Sequence, residues 1–282
     1  MSYTFYSKLN LNIRSAFYLA FWLLVYCAIA TIFPFFAQIT FAQDSSNPDV
    51  LSADSSTVYN AFVCTKVIST GKQTDEIINK IESAYSKLTS FKANFNQESY
   101  FLGLDRREQS NGLIYFIKPG KMHWHYQAPQ EQKFISNGTI AWLYQPQMNQ
   151  VTTMDFKHAF NSEMPVSFLL GIGTLRDTFV VKEACNTSHG IKILLTPKVS
   201  DQTIEQMHLL VDAKYFQPIG SRLENIGGNE TSILFVNQDL KIQIPLEIFE
   251  FSIPKGVDII DERDITGRNI KKSPIIETNI IE

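Results

Sequence analysis

Chemistry-bearing motifs are scarce in this chain of 282 residues. No Gly-x-Ser-x-Gly run offers a strained nucleophile elbow. Gly171-Ile172-Gly173 lacks both the further glycine and the βαβ setting that a dinucleotide site requires. His123 and His125 fall on one face of a predicted strand, yet no neighbouring cysteine or carboxylate supplies a third metal ligand. They read as solvent-facing histidines, and no metal or other cofactor is expected. No internal repeat is present, and no catalytic constellation emerges, so an enzyme is the weakest class. Basic charge is also lacking. Beyond residue 42 the chain carries 23 basic against 28 acidic residues, a net charge of −5. That balance argues against a general nucleic-acid or anionic-membrane binder.

One long apolar run is present, and it lies at the start. Lys8 and Arg14 precede an uncharged stretch from Ala16 to about Ala37, and Thr40-Phe41-Ala42 has the small-x-small form of a cleavage site before Gln43. Residues 1–42 are therefore expected to be a signal peptide that exports the body. The run is long enough to span a bilayer, so an uncleaved anchor is the competing reading. A lipidated Cys27 is a third, although bulky Tyr26 just before it is unfavourable. Cys64 and Cys185 then remain of the three cysteines. In an oxidising compartment such a pair forms a disulfide or stays as two free thiols, and the spacing does not decide between them.

From residue 43 to 72, Ser, Asp, Asn and Thr predominate, which reads as a flexible arm. Thr74 has the character of a helix N-cap, and Ile77, Ile78, Ile81, Ala84, Tyr85 and Leu88 follow at helical spacing. The period then changes to two. Strands are predicted near 91–100, 107–117, 121–126, 133–136, 139–144, 150–154, 178–183, 190–196, 204–211, 218–224, 231–237 and 248–253. Asn137-Gly138 marks a hairpin between two of them. Alternation stops between 155 and 174, where Pro165 could open a short helix carrying Phe168, Leu169 and Leu170. The pattern predicts a mainly β, α+β domain over 73–261, an unclosed antiparallel barrel of about 11 strands capped by helices. A polar tail, 262–282, follows.

The stretch Gly112–Pro129 is the most informative. It reads as two strands joined at Lys118-Pro119-Gly120. Met122, Trp124 and Tyr126 alternate with Lys121, His123 and His125, while the strand before the turn is apolar on both faces. A sheet with one wet face needs only one apolar side, so this strand covers something further.

These residues resemble the periplasmic outer-membrane lipoprotein carrier family, LolA. The likeness rests on Gly112-x-x-x-x-x-Lys118-Pro119-Gly120-x-x-x-Trp124-x-x-x-x-Pro129, on Asn137-Gly138-x-x-x-Trp142-Leu143-Tyr144 and on Leu195-Thr196-Pro197-Lys198. Phe249-x-Phe251-x-x-Pro254-x-Gly256-Val257 is similar to the family's closing strand. The resemblance implies an open barrel whose apolar cavity holds the acyl chains of lipoproteins beneath a helical lid. It further implies no bond chemistry and no cofactor, and a monomer. Cargo would come from an inner-membrane lipoprotein-releasing ABC transporter and pass to an outer-membrane acceptor. Met122, Trp124, Tyr126, Trp142 and Tyr144 would line the cavity, with Pro165, Phe168, Leu169 and Leu170 in the lid. Carriers often have arginine before the turn proline as a lid latch. Here that position is Lys118, a point donor without the planar fork. Met122 replaces a larger aromatic and is more pliable. Two other readings stand beside the carrier: a membrane-anchored acceptor similar to LolB, and a solidly packed β-barrel interaction module.

Overall fold

The computed structural model describes residues 55–68, 71–159, 174–199 and 204–263. The leader, Cys27, Pro165, Phe168, Leu169, Leu170 and the tail beyond 263 lie outside the described residues. In chain order come α1 (Ser55–Asn60), β1 (Lys66–Ile68), α2 (Lys72–Ser86), β2 (Ser90–Phe101), β3 (Arg106–Ile117) and β4 (Lys121–Ala128). β5 (Gln132–Asn137), β6 (Ile140–Gln145), β7 (Gln150–Asp155) and a short α3 (Phe156–Ala159) follow. The second half holds α4 (Leu175–Thr178), β8 (Phe179–Asn186), β9 (Ile191–Pro197), β10 (Gln206–Val211), β11 (Pro218–Glu224), β12 (Glu230–Asp239) and β13 (Asp258–Asp261).

All thirteen strands form one sheet in the order β1-β8-β9-β10-β11-β12-β2-β3-β4-β5-β6-β7-β13. Its two edges do not pair with each other, so the barrel is unclosed. Every pairing is antiparallel except β13 on β7, which makes the sheet mixed rather than antiparallel throughout. Eleven of the twelve predicted segments form strands, β2 to β12, and two segments outside the regular alternation add an edge each, β1 at one side and β13 at the other. One predicted strand is missing. Residues 248–253 instead form the end of a 3-10 turn, Leu246–Phe249, and an extended segment. Pro245 and Pro254 bracket this stretch and cannot donate to a ladder. Its side chains pack on the sheet instead, and Phe249 is fully buried.

The helix α2 starts at Lys72, capped by Gly71 at φ 93°, three residues before the expected Thr74 cap. Thr74 is buried instead, alongside Ile77, Ile78, Ile81 and Tyr85. This stripe rests on the inner face of the sheet with Phe91, Phe95, Ile114, Trp124 and Phe235 in the main core. The outer face carries two smaller clusters. Val58 of α1, with Ala61 and Phe62 in the turn after it, packs on Leu210 and Leu234. Phe251 and Val257 of the C-terminal segment pack on Ile135, Trp142 and Val151. Residues 55–68, read from composition as part of a loose arm, are thus an ordered strap. Apolar residues at i, i+3 and i+4 give α1 one buried stripe, and Cys64 is bonded to Cys185 across a sequence separation of 121.

Candidate functional site

A cavity opens on the inner face between the sheet and α2. Phe91, Ile114, Phe116, Met122, Trp124 and Phe235 line it from the strands, and Tyr85 and Leu88 line it from the helix and the turn after it. Gln217, Pro218 and Leu240 complete the wall. The free space is about 30 Å³. Of the sequence-expected lining, Met122 and Trp124 are present. Tyr126 continues their face toward the other end of β4, packed on Phe95 at 5.0 Å between ring centroids. Gly112 makes this aromatic group fit. A Cβ there would lie 2.9 Å from the Phe95 ring and 1.9 Å from the His125 carbonyl oxygen, so only glycine lets the two strands and the ring share that space.

Lys118 joins the sheet to α2. Its Nζ donates to the Tyr85 carbonyl oxygen at 2.5 Å and sits 3.7 Å from the centre of the Tyr85 ring. Its backbone N–H donates to the Thr89 carbonyl at 2.9 Å. The contact falls at the C-terminal end of α2, where the helix dipole favours a cation. Burial lowers the Lys118 pKa to about 8, and it pushes the Tyr85 phenol well above its ordinary range. The other end of α2 is held by a residue that the sequence did not single out. The Arg176 guanidinium of α4 donates to the Asp75 side chain and backbone carbonyl, both at 3.2 Å, and to Asn79 Oδ1 at 3.0 Å. Its nearest sequence signal was a basic residue beside Asp177, which nothing local ties to α2.

Trp142 and Tyr144 do not line the cavity. Trp142 pairs across the sheet with Ile135, whereas its neighbour Leu143 pairs with inward-facing Phe134. Both aromatic rings lie on the outer face against Phe251, at 6.3 Å and 5.4 Å. The C-terminal segment covers them. The same cover changes the histidines. His125 is hydrogen-bonded to Glu131 at 3.0 Å, but His123 is not solvent-facing. It is half-buried near Ile248 with both ring nitrogens poorly satisfied, and its pKa is lowered to about 4, mainly by burial. Strand register turns Trp142 and Tyr144 outward, and the segment's path over β4 and β5 buries His123.

An inner apolar cavity thus lies beneath a helix whose C-terminal end is hydrogen-bonded to Lys118 of an unclosed β-sheet. The model of the outer membrane lipoprotein carrier protein LolA matches residues 86–252. The chain belongs to the LolA family. An outer-membrane lipoprotein carrier protein of Chromohalobacter salexigens is 28% identical over 184 residues, covering 65% of this chain and 86% of the relative. One from Cupriavidus pinatubonensis is 28% identical over 206 residues, covering 73% and 93%. Among solved structures, a LolA superfamily protein from Nitrosomonas europaea covers 65% of this chain and 99% of its own, with 11% identity and a TM-score of 0.37. LolA family members are non-enzymatic transport proteins of the periplasm, and their cargo is lipoprotein. The family match begins inside α2, so the strap of α1 and β1 lies before it.

Proposed function

We propose that this protein is a periplasmic chaperone that shelters the acyl chains of lipoproteins during transfer from the inner to the outer membrane. The observation that carries the reading is the apolar inner cavity closed by α2, with Lys118 fastening the helix end to the sheet. An inner-membrane ABC transporter would load it and an outer-membrane acceptor would unload it. The small free space, about 30 Å³, supports displacement of a lid by cargo.

The energetics point the same way. Burying acyl chain is worth about 0.8 kcal/mol per methylene, or on the order of 12 kcal/mol per chain. Two or three fully buried chains would pass the roughly 18–21 kcal/mol at which non-covalent affinity saturates. Release therefore requires an opposing term. Peeling Ile77, Ile78, Ile81 and Tyr85 of α2 from the core exposes four large side chains at about 1.5–3 kcal/mol each, an upper estimate. That cost is comparable to the gain from one chain, which leaves binding strong but reversible.

Mass spectrometry of the protein purified from its own envelope tests the reading. A co-purifying acylated protein and a mature N-terminus at Gln43 are expected. Empty protein, under conditions that preserve a known carrier complex, would overturn it. A lipidated Cys27 or an intact leader would instead favour the anchored acceptor.

A further inference from the structure

The inner face changes character along the strand axis. Cross-strand pairing places Phe91 opposite Phe116, Ala93 opposite Ile114 and Phe95 opposite Gly112, and apolar side chains fill this end. Beyond Phe95 the same face carries Gln97, Ser99 and, on β12, Thr231. Each is less than a tenth exposed. Tyr126 Oη donates to Gln97 Oε1 at 2.9 Å, and Gln97 Nε2 donates to Ser99 Oγ at 3.2 Å. Ser99 Oγ and Thr231 Oγ1 are 3.5 Å apart. An acyl-chain pocket formed by hydrocarbon contact alone has no use for such a row.

Trp124 stands at the boundary. Its ring lies edge-on to Phe95 at 5.3 Å and nearly parallel to Tyr126 at 6.1 Å. It lines the cavity, is 9% exposed, and its indole Nε1 is buried without an acceptor among the described residues. Buried N–H groups are nearly always paired, and an unpaired one is a cost that an incoming acceptor removes. A buried ester carbonyl carries the matching cost, since it leaves water without a donor.

We propose that the Trp124 indole N–H is the donor of a subsite for the carbonyl-bearing head of an acylated ligand. The ester groups that join acyl chains to a glyceryl-cysteine fit it, with Gln97 and Ser99 beyond. The hydrocarbon tails then extend toward Phe91, Phe116 and Phe235. This assignment rests on the carrier reading and adds orientation and chemical selectivity to it. Acyl esters are favoured over alkyl ethers of equal length, although both bury the same hydrocarbon.

The test is titration of the full-length protein with a synthetic glyceryl-cysteine peptide bearing two ester-linked palmitoyl chains, against its dialkyl ether analogue. The ester compound should bind about 5–30-fold more tightly, the range of one hydrogen bond in a dry site. Trp124→Phe should abolish that preference by weakening the ester compound alone. Trp142→Phe, on the outer face, should keep it. In unmutated protein the Trp124 indole proton resonance should move downfield with the ester and not with the ether, a readout that survives if Trp124→Phe does not fold. Equal binding of both compounds, or a preference that persists in Trp124→Phe, would overturn the subsite and leave the carrier reading standing. Binding of neither would overturn both.

Discussion

A methyl group on Gly112 would meet the His125 carbonyl oxygen at 1.9 Å. Backbone cannot yield as a flexible side chain can, so Gly112→Ala should destabilise the protein by about 2–3 kcal/mol. Urea denaturation checks this, with the midpoint falling and the slope unchanged. Lys118 makes a different kind of contact. Replacing it with Leu removes the donor to the Tyr85 carbonyl and the charge over the Tyr85 ring while keeping much of the stem. Amides in the last turn of α2 should then exchange about tenfold faster, the worth of one half-buried charged hydrogen bond. Unchanged exchange would reduce Lys118 to an ordinary turn lysine. Both positions stand in the Gly112–Pro129 stretch, and both were legible in the sequence as motif residues. Their partners were not, because Phe95 and Tyr85 reach them only through strand pairing and helix docking.

At the level of elements, two segments cover the outer face. The strap of α1 and β1 holds one half through Val58, Phe62 and the Cys64–Cys185 bond. The stretch before β13 holds the other through Phe251 and Val257. Arg222 fastens the strap, donating to the Tyr59 carbonyl at 3.1 Å and to Ser232 at 2.8 Å. Replacing Cys64 and Cys185 with serine should cost about 2–4 kcal/mol, as expected for a long closed loop. Proteolysis within 55–68 should accelerate before the body unfolds, and limited digestion followed by mass mapping would show it. Composition concealed this strap. Its apolar residues are few, and the surface they cover is made by Leu210 and Leu234, far along the chain.

Across the whole molecule, both outer-face covers lie near a histidine that burial keeps neutral. His123, beside His125 and Lys133, and His208, beside Lys192 and Arg222, have pKa values lowered to about 4 from 6.5. The unfolded chain takes up these protons first. The stability they contribute is therefore present above about pH 6.5 and is lost as pH falls toward about 4. Partial exposure discounts the effect to about 1 kcal/mol per histidine at pH 5. Thermal melts at pH 7 and pH 5 should differ accordingly, and the difference should shrink by about half in His208→Asn. An unchanged difference would place the acid sensitivity elsewhere.

The sequence by itself determined the β-rich body, a helix near 74–88, the strand pair around Lys118-Pro119-Gly120 and, through its motifs, the family to which the chain belongs. These are local properties, written in period-two alternation, helical spacing and turn chemistry. Tertiary structure alone decided which aromatic residues meet inside. Alternation assigns Trp124 and Tyr126 to one face of their own strand, but the face of Trp142 and Tyr144 depends on two successive registers, β4 to β5 and β5 to β6. A shift of one residue in either would exchange the faces. The same holds for β13, whose parallel pairing with β7 requires the chain to travel across the outer face first. Contacts set by register and by distant segments leave no mark on local sequence, and they decided where this cavity ends.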